Sequence, residues 1–225
     1  MRELGYVEGK NLVIEWRFAD GNYDRFPALA SELAMLKVDV LVTHVTATMR
    51  ALQRATSTIP IVVTSLTDPV GGGYAASLAR PGGNITGLSN VTIDATSKRF
   101  ELLTAMLPKL SRLAVLLNPG NPSRAVMLQS VKDAAHRTRI KIVPVDARTP
   151  QEIERAFAAM AQQRVQALIV ANDGFFLGQA RTLAALTLKN RLPAMFPYRE
   201  IVTMGGLMSY GQNYVDTYRQ AAMYV

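Results

Sequence analysis

The sequence contains no cysteine, which excludes disulfides, thiolate metal sites and a cysteine nucleophile together. It has only two histidines, His44 and His136, and one tryptophan. Long apolar runs are also missing: VDVLVT and VQALIVA stop at six or seven residues, against the roughly 20 a bilayer-spanning helix needs. The opening MRELGYVEGK has neither an apolar core nor a small-residue cleavage site of the kind a leader carries. Phosphate loops are absent as well. Residues 67–87, TDPVGGGYAASLARPGGNITG, crowd six glycines and two prolines into one stretch. Neither GxGxxG nor GxxxxGK[ST] spacing occurs in it, and no lysine flanks Gly71, Gly72 and Gly73. Turns around a short helix at 74–79 are expected there.

What is present suffices for a folded core: 225 residues, 49% of them hydrophobic, enough for one large domain or two small lobes. Twenty-five Lys+Arg against seventeen Asp+Glu give a net charge of +8. The cations lie singly or in pairs such as Lys98-Arg99, with no run, no aromatic interleaving and no helix-turn-helix pattern, so no nucleic-acid partner is expected.

Strand and helix periods alternate along the whole chain. NLVIEWR (11–17) reads as a strand, followed by a helix with Phe26, Leu29, Ala30, Leu33 and Leu36 on one face. Then come strand 38–43, a helix through Met49, Leu52 and Ala55, strand 59–65 and a short strand near Ile85. The pattern restarts after 89–92. Asp94 can cap a helix carrying Phe100, Leu103 and Leu107, and LAVLLN (113–118) follows as a strand. A helix begins at Ser123, strand 140–145 comes next, and TPQE (149–152) forms a capping box with proline at the first helical position. Strand VQALIVA, helix 177–189, strand AMFP, strand GLMSY and a last helix from Val215 complete the order. Alternation of this kind implies an α/β fold of two lobes, with parallel sheets covered by helices on both faces.

In open parallel sheets ligands bind beyond the carboxyl ends of the strands. Those positions hold Thr46, Thr48, Ser65, Thr67 and Asp68 in the first series and Asn118, Asn121, Asn172, Asp173, Phe196 and Tyr198 in the second. Each Ser, Thr, Asn or Asp can equally cap the next helix. Collectively they suit a small polar ligand held between lobes. No nucleophile with a base, no metal set and no GxSxG elbow accompanies them, so no catalytic residue, metal or cofactor is assigned and the chain reads as a non-enzyme.

Several stretches, LGYVEGKNLVIEWRFADGNYDRFPALASEL, TSTIPIV, DPVGGGYAASLARPGGNITG, KRFELL, AVLLNPGNP and GGLMSYG, resemble the substrate-binding proteins of bacterial ABC transporters, in the branch associated with tryptophan and tyrosine uptake. The resemblance spans essentially the whole chain. It implies a type I periplasmic-binding-protein fold, with lobe one formed by 1–90 plus 208–225 and lobe two by 91–207. The crossings fall at 90–93 and 207–211, and the glycine-rich stretch shapes turns rather than a phosphate loop. It further implies a small amino-acid-like, aromatic ligand in the interlobe cleft, a membrane permease as partner, and a location in the periplasm or lipid-anchored outside the inner membrane.

On the family pattern the chain starts inside the first helix and stops before the last elements. Lobe one is thus expected to lack its first strand and to expose edges that favour homo-oligomers. The ligand carboxylate is expected at the start of the helix after Thr46, near the Thr46 and Thr67 hydroxyls. Asp68 or Asp173 then takes the ammonium group, Asn118 and Asn172 add amides, and Phe196 or Tyr198 faces an aromatic side chain. The sensor lobes of a transcription regulator, or an enzyme using Asp68 or Asp173 on a small amino-acid-like substrate, are the competing readings.

Overall fold

The computed structural model describes residues 1–225 apart from Val45 and Val91, and the side chains of all but these two and Asn90, Thr92, Ile93 and Asp94. The expected cap at Asp94 therefore lies outside the described side chains. The chain divides into two compact units, Met1–Asn90 with Tyr214–Val225, and Val91–Asn213.

The first unit carries a three-stranded parallel sheet in the order β1 (Leu41–Thr43), β2 (Ile61–Thr67), β3 (Ile85–Asn90). Helices α1 (Phe26–Met35) and α2 (Thr46–Ala55) connect along it, burying Ala30, Met49 and Leu52 against Leu41, Ile61, Val63 and Ile85. Two expectations fail here. Residues 11–17 form no strand, because β1 pairs only with β2 and the lone bridge nearby joins Glu8 to Leu12. A strand's backbone groups need a neighbouring ladder, whatever the β propensity of Val13, Ile14 and Trp16. Residues 74–79 form turns, not a helix. Their amides are taken by nearby carbonyls: Tyr74 and Ala75 N–H donate to Pro69 O, and Ala76 N–H to Pro81 O.

At the end of the glycine-rich stretch, Gly87 is required by the backbone. Its φ is +129° and a Cβ there would overlap the Val63 carbonyl, at the point where the β2–β3 register shifts between Val63 and Leu66. Glycine permits both the backbone angle and the close approach.

The second unit has a five-stranded parallel sheet in the order β5-β4-β6-β7-β8. Its elements are α3 (Thr92–Met106), β4 (Arg112–Leu117), α4 (Arg124–Ala135), β5 (Lys141–Asp146), α5 (Pro150–Gln162), β6 (Ala167–Val170), α6 (Gly174–Gly178), α7 (Ala180–Lys189), β7 (Ala194–Phe196), α8 (Arg199–Thr203) and β8 (Met208–Ser209). Leu113 to Leu117 and Ala167 to Val170 are buried without alternation, as strands covered on both faces must be. Thr149 caps α5, its Oγ1 accepting the Glu152 N–H at 3.2 Å. The Glu152 carboxylate reaches back one residue further than the usual box, to the Arg148 N–H at 2.8 Å. β8 pairs with β7, so residues 208 and 209 belong to this sheet, and the first unit resumes at Tyr214 with α9 (Tyr214–Ala221).

Candidate functional site

In the first unit the strand ends are tied to α2 by hydroxyls. Thr46 Oγ1 accepts the Thr67 N–H at 3.1 Å, and the Thr43 and Thr48 hydroxyls share a 2.5 Å hydrogen bond. Ser65 is buried inside β2. Asp68 lies apart, exposed on a turn with φ +47°, where its Oδ1 accepts the Gly71 N–H at 2.9 Å. Thr46 and Thr67 thus come together and Thr48 is tied to Thr43, while Asp68 shapes the glycine-rich turn.

Beside the threonines stands His44, just after β1. Its Nδ1 shares a 2.5 Å hydrogen bond with the buried Thr64 hydroxyl, and its ring packs on Tyr214 and Tyr218 of α9 at centroid distances of 3.9 and 5.6 Å. Tyr218 also bonds Thr64 through its side chain. Burial holds the His44 pKa down at about 4, so the imidazole is neutral at pH 7. It pins α9, the returning segment, onto β2. A shallow pocket of about 90 Å³ opens nearby, lined by Val63, Leu66, Pro69, Leu78, Ile85 and Leu88 among others. That is well short of the roughly 300 Å³ at which small-molecule sites begin.

In the second unit Asn118, Asn121, Asn172 and Asp173 form one network at the carboxyl ends of β4 and β6. Asp173, 2% exposed, caps α6 through the Phe175 N–H at 2.9 Å. It also accepts Asn118 Nδ2 at 3.2 Å and Asn121 Nδ2 at 2.8 Å. Asn118 Oδ1 in turn accepts the Gly120 N–H at 2.9 Å, and Asn121 Nδ2 reaches the Asn172 carbonyl at 3.2 Å. Such a carboxylate is stabilised in place by its donors and by the helix start. Tyr198 is buried at the start of α8, and Phe196 is wholly buried with its ring close under Gly206. Phe196 is part of the core.

The residue that sequence reasoning missed is Arg99. In the sequence it is half of an ordinary Lys98-Arg99 pair; in the fold Lys98 is exposed and Arg99 is 1% exposed. Its Nε donates to the Tyr210 carbonyl at 2.7 Å, Nη1 to Thr96 Oγ1 at 3.4 Å and Nη2 to Asn172 Oδ1 at 3.5 Å. Desolvation lowers its pKa to about 10, and it remains charged at pH 7. The only sequence signal is position: four residues before Leu103 and one before Phe100, Arg99 sits on the helix flank that turns inward. Among the described residues no group of three or more His, Cys, Asp or Glu could hold a metal, and no helix is long and apolar enough to cross a membrane.

Two parallel α/β units with polar strand ends define the class: this is the architecture of the periplasmic binding proteins. The chain matches the family model described as ABC transporter substrate binding protein over residues 1–225, and it belongs to that family. It is 26% identical over 215 residues to a tyrosine-binding protein of Clostridioides difficile (strain R20291), covering 95% of this chain and 61% of the relative. The chain thus spans about three fifths of that curated relative. Among solved structures, a conserved domain protein from Vibrio cholerae superposes with a TM-score of 0.90 at 30% identity, covering 99% of this chain and 74% of the other. An ABC domain from Streptococcus pneumonia in complex with L-Trp superposes with a TM-score of 0.88 at 21% identity, with the same coverage, a likeness of fold.

Proposed function

We propose that this chain is the ligand-recognising part of an ABC uptake receptor that acts outside the cytoplasmic membrane. It binds a small amino-acid-like ligand, an aromatic amino acid first among them, and presents it to a membrane permease. The observation that carries the reading is the family match over every residue from 1 to 225, with a tyrosine-binding relative within it. The site chemistry agrees with that reading. Each unit offers hydroxyls or amides at its strand ends: Thr46, Thr48 and Thr67 in one, Asn118, Asn121, Asn172 and Tyr198 in the other. These groups bind and orient without cleaving, so the expected event is reversible binding with no turnover.

Isothermal titration of the purified chain with L-tyrosine, L-tryptophan and L-leucine tests this directly. Saturable heat with one or both aromatic amino acids, and recovery of the unchanged ligand afterwards, is the expected result. A chain that is folded by circular dichroism yet takes up none of the three would overturn the amino-acid assignment. Asn172→Ala, at a half-buried member of the second-unit network, is expected to weaken binding about tenfold, the value of one or two lost hydrogen bonds.

A further inference from the structure

We propose that the carboxyl edge of β6, β7 and β8 is the carboxylate site of this receptor, with Arg99 as its source of charge and the Asn172 side-chain amide as its contacting donor. The inference rests on the amino-acid reading above and makes it more specific. It moves the carboxylate from the start of α2, where sequence alone placed it, into the second unit.

Three observations converge. The first is charge: among the described residues the three acceptors around the Arg99 guanidinium are neutral, a carbonyl, a hydroxyl and an amide oxygen. An arginine has five N–H donors, so three bonds leave two without an acceptor among the described residues. A buried cation is normally retained with an anion beside it. The second is place: Asn172 follows β6, and Tyr210 follows β8, so the guanidinium lies beneath the edge at which parallel sheets bind ligands. A Cβ on Gly211 would come within 3.3 Å of Arg99 Nη2, so the backbone closes over the cation and side chains are kept off it. The third is polarity. Asn172 gives its Oδ1 to the Arg99 guanidinium at 3.5 Å, and its Nδ2 has no protein acceptor among the described residues, on a side chain that is only half-buried.

The charge pattern also selects the anion. Asp173 is adjacent, its carboxylate held by Asn118, Asn121 and the Phe175 N–H. A phosphate dianion would face that carboxylate with only one cation behind it. A zwitterion, carrying one carboxylate and one ammonium group, matches both signs. Arg99 acts through Asn172 and is a positioning residue.

The test uses the intact chain. Arg99 Nε–H is assigned in ¹⁵N-labelled protein by its loss in Arg99→Lys, then followed during titration with L-tyrosine, benzoate and L-tyrosinamide. The carboxylates are expected to shift it and the amide to leave it in place. In parallel, wild type is expected to prefer L-tyrosine to L-tyrosinamide by about tenfold or more, as a charge-assisted contact implies. Arg99→Gln abolishes that preference and Arg99→Lys restores part of it. If benzoate shifts the resonance while L-tyrosine binds nowhere, the anion site stands and the amino-acid reading falls. If L-tyrosine binds with the resonance unmoved, the reading stands and the anion site falls. Equal weakening of both ligands by Arg99→Gln, in a chain that still folds, would make Arg99 a structural tie and overturn the proposal.

Discussion

In the second unit β4 lies between two strands and under helices, and Leu113 through Leu117 are buried without a break. In the first, β1 has a partner on one side only, Val42 at its centre is 50% exposed, and Val13, Trp16 and Phe18 stand 60% or more exposed in a segment with no ladder. Both units use parallel strands, but in the first only β2 is buried along its length while β1 is left half open. The polar groups follow the same division: Asp173, Asn118 and Asn121 are locked by mutual hydrogen bonds, whereas the strand ends of the first unit rest on threonine ties and on three rings stacked around Thr64. A continuous core allows a polar network to be buried and fully bonded; a thin sheet has to borrow a helix from the far end of the chain.

The comparison is broken most severely at β4. Leu116→Ala should lower stability by about 2–5 kcal/mol, the range for a buried leucine whose cavity cannot collapse, while Val42→Ala should stay within about 0.5 kcal/mol. Urea unfolding of both variants gives the contrast directly. Next in size is Asp173→Ala, which strands the buried Asn118 amide, the half-buried Asn121 amide and an N-terminal N–H of α6; about 1–3 kcal/mol is expected, with Asp173→Asn milder because its side-chain oxygen still caps.

The first unit is sharpened by pH. The folded His44 pKa, about 4, lies below its ordinary 6.5, so the unfolded chain binds this proton more readily. The contribution is therefore complete above about pH 6.5 and is lost as pH falls toward 4, at up to about 1.4 kcal/mol per pH unit. His44→Phe should keep the ring stack and flatten that dependence between pH 7 and 4.5; an unchanged slope would assign it to other groups. Outside the two sheets, Thr149→Ala should cost about 1 kcal/mol for a lost N-cap, read as a shift in thermal midpoint.

How far each feature could be read from the sequence depended on how local its cause is. α5 was legible because TPQE carries its own cap, and β4 because five buried apolar residues in a row need no partner to be recognised. Residues 11–17 have strand chemistry, but a strand is completed by its neighbour, and periodicity says nothing of neighbours. At the candidate site, Asn118, Asn121, Asn172 and Asp173 were singled out by their positions after strands, and the fold groups them in one network. Arg99 was not, since the carbonyl that holds it belongs to Tyr210, 111 residues away. The environment of His44 was hidden for the same reason, being made by Tyr214 and Tyr218.

The discontinuity of the first unit sets an order of folding during synthesis. Residues 91–213 form the second unit from one uninterrupted stretch, so every contact it needs is available once that stretch has left the ribosome. The first unit begins earlier but waits for α9, whose rings reach back to His44 and Thr64. Domains ordinarily complete in the order in which they are made; here the later one finishes first. Ribosome-stalled chains ending near residue 213, with a linker to clear the tunnel, should already protect 91–213 from protease while 1–90 is still cut.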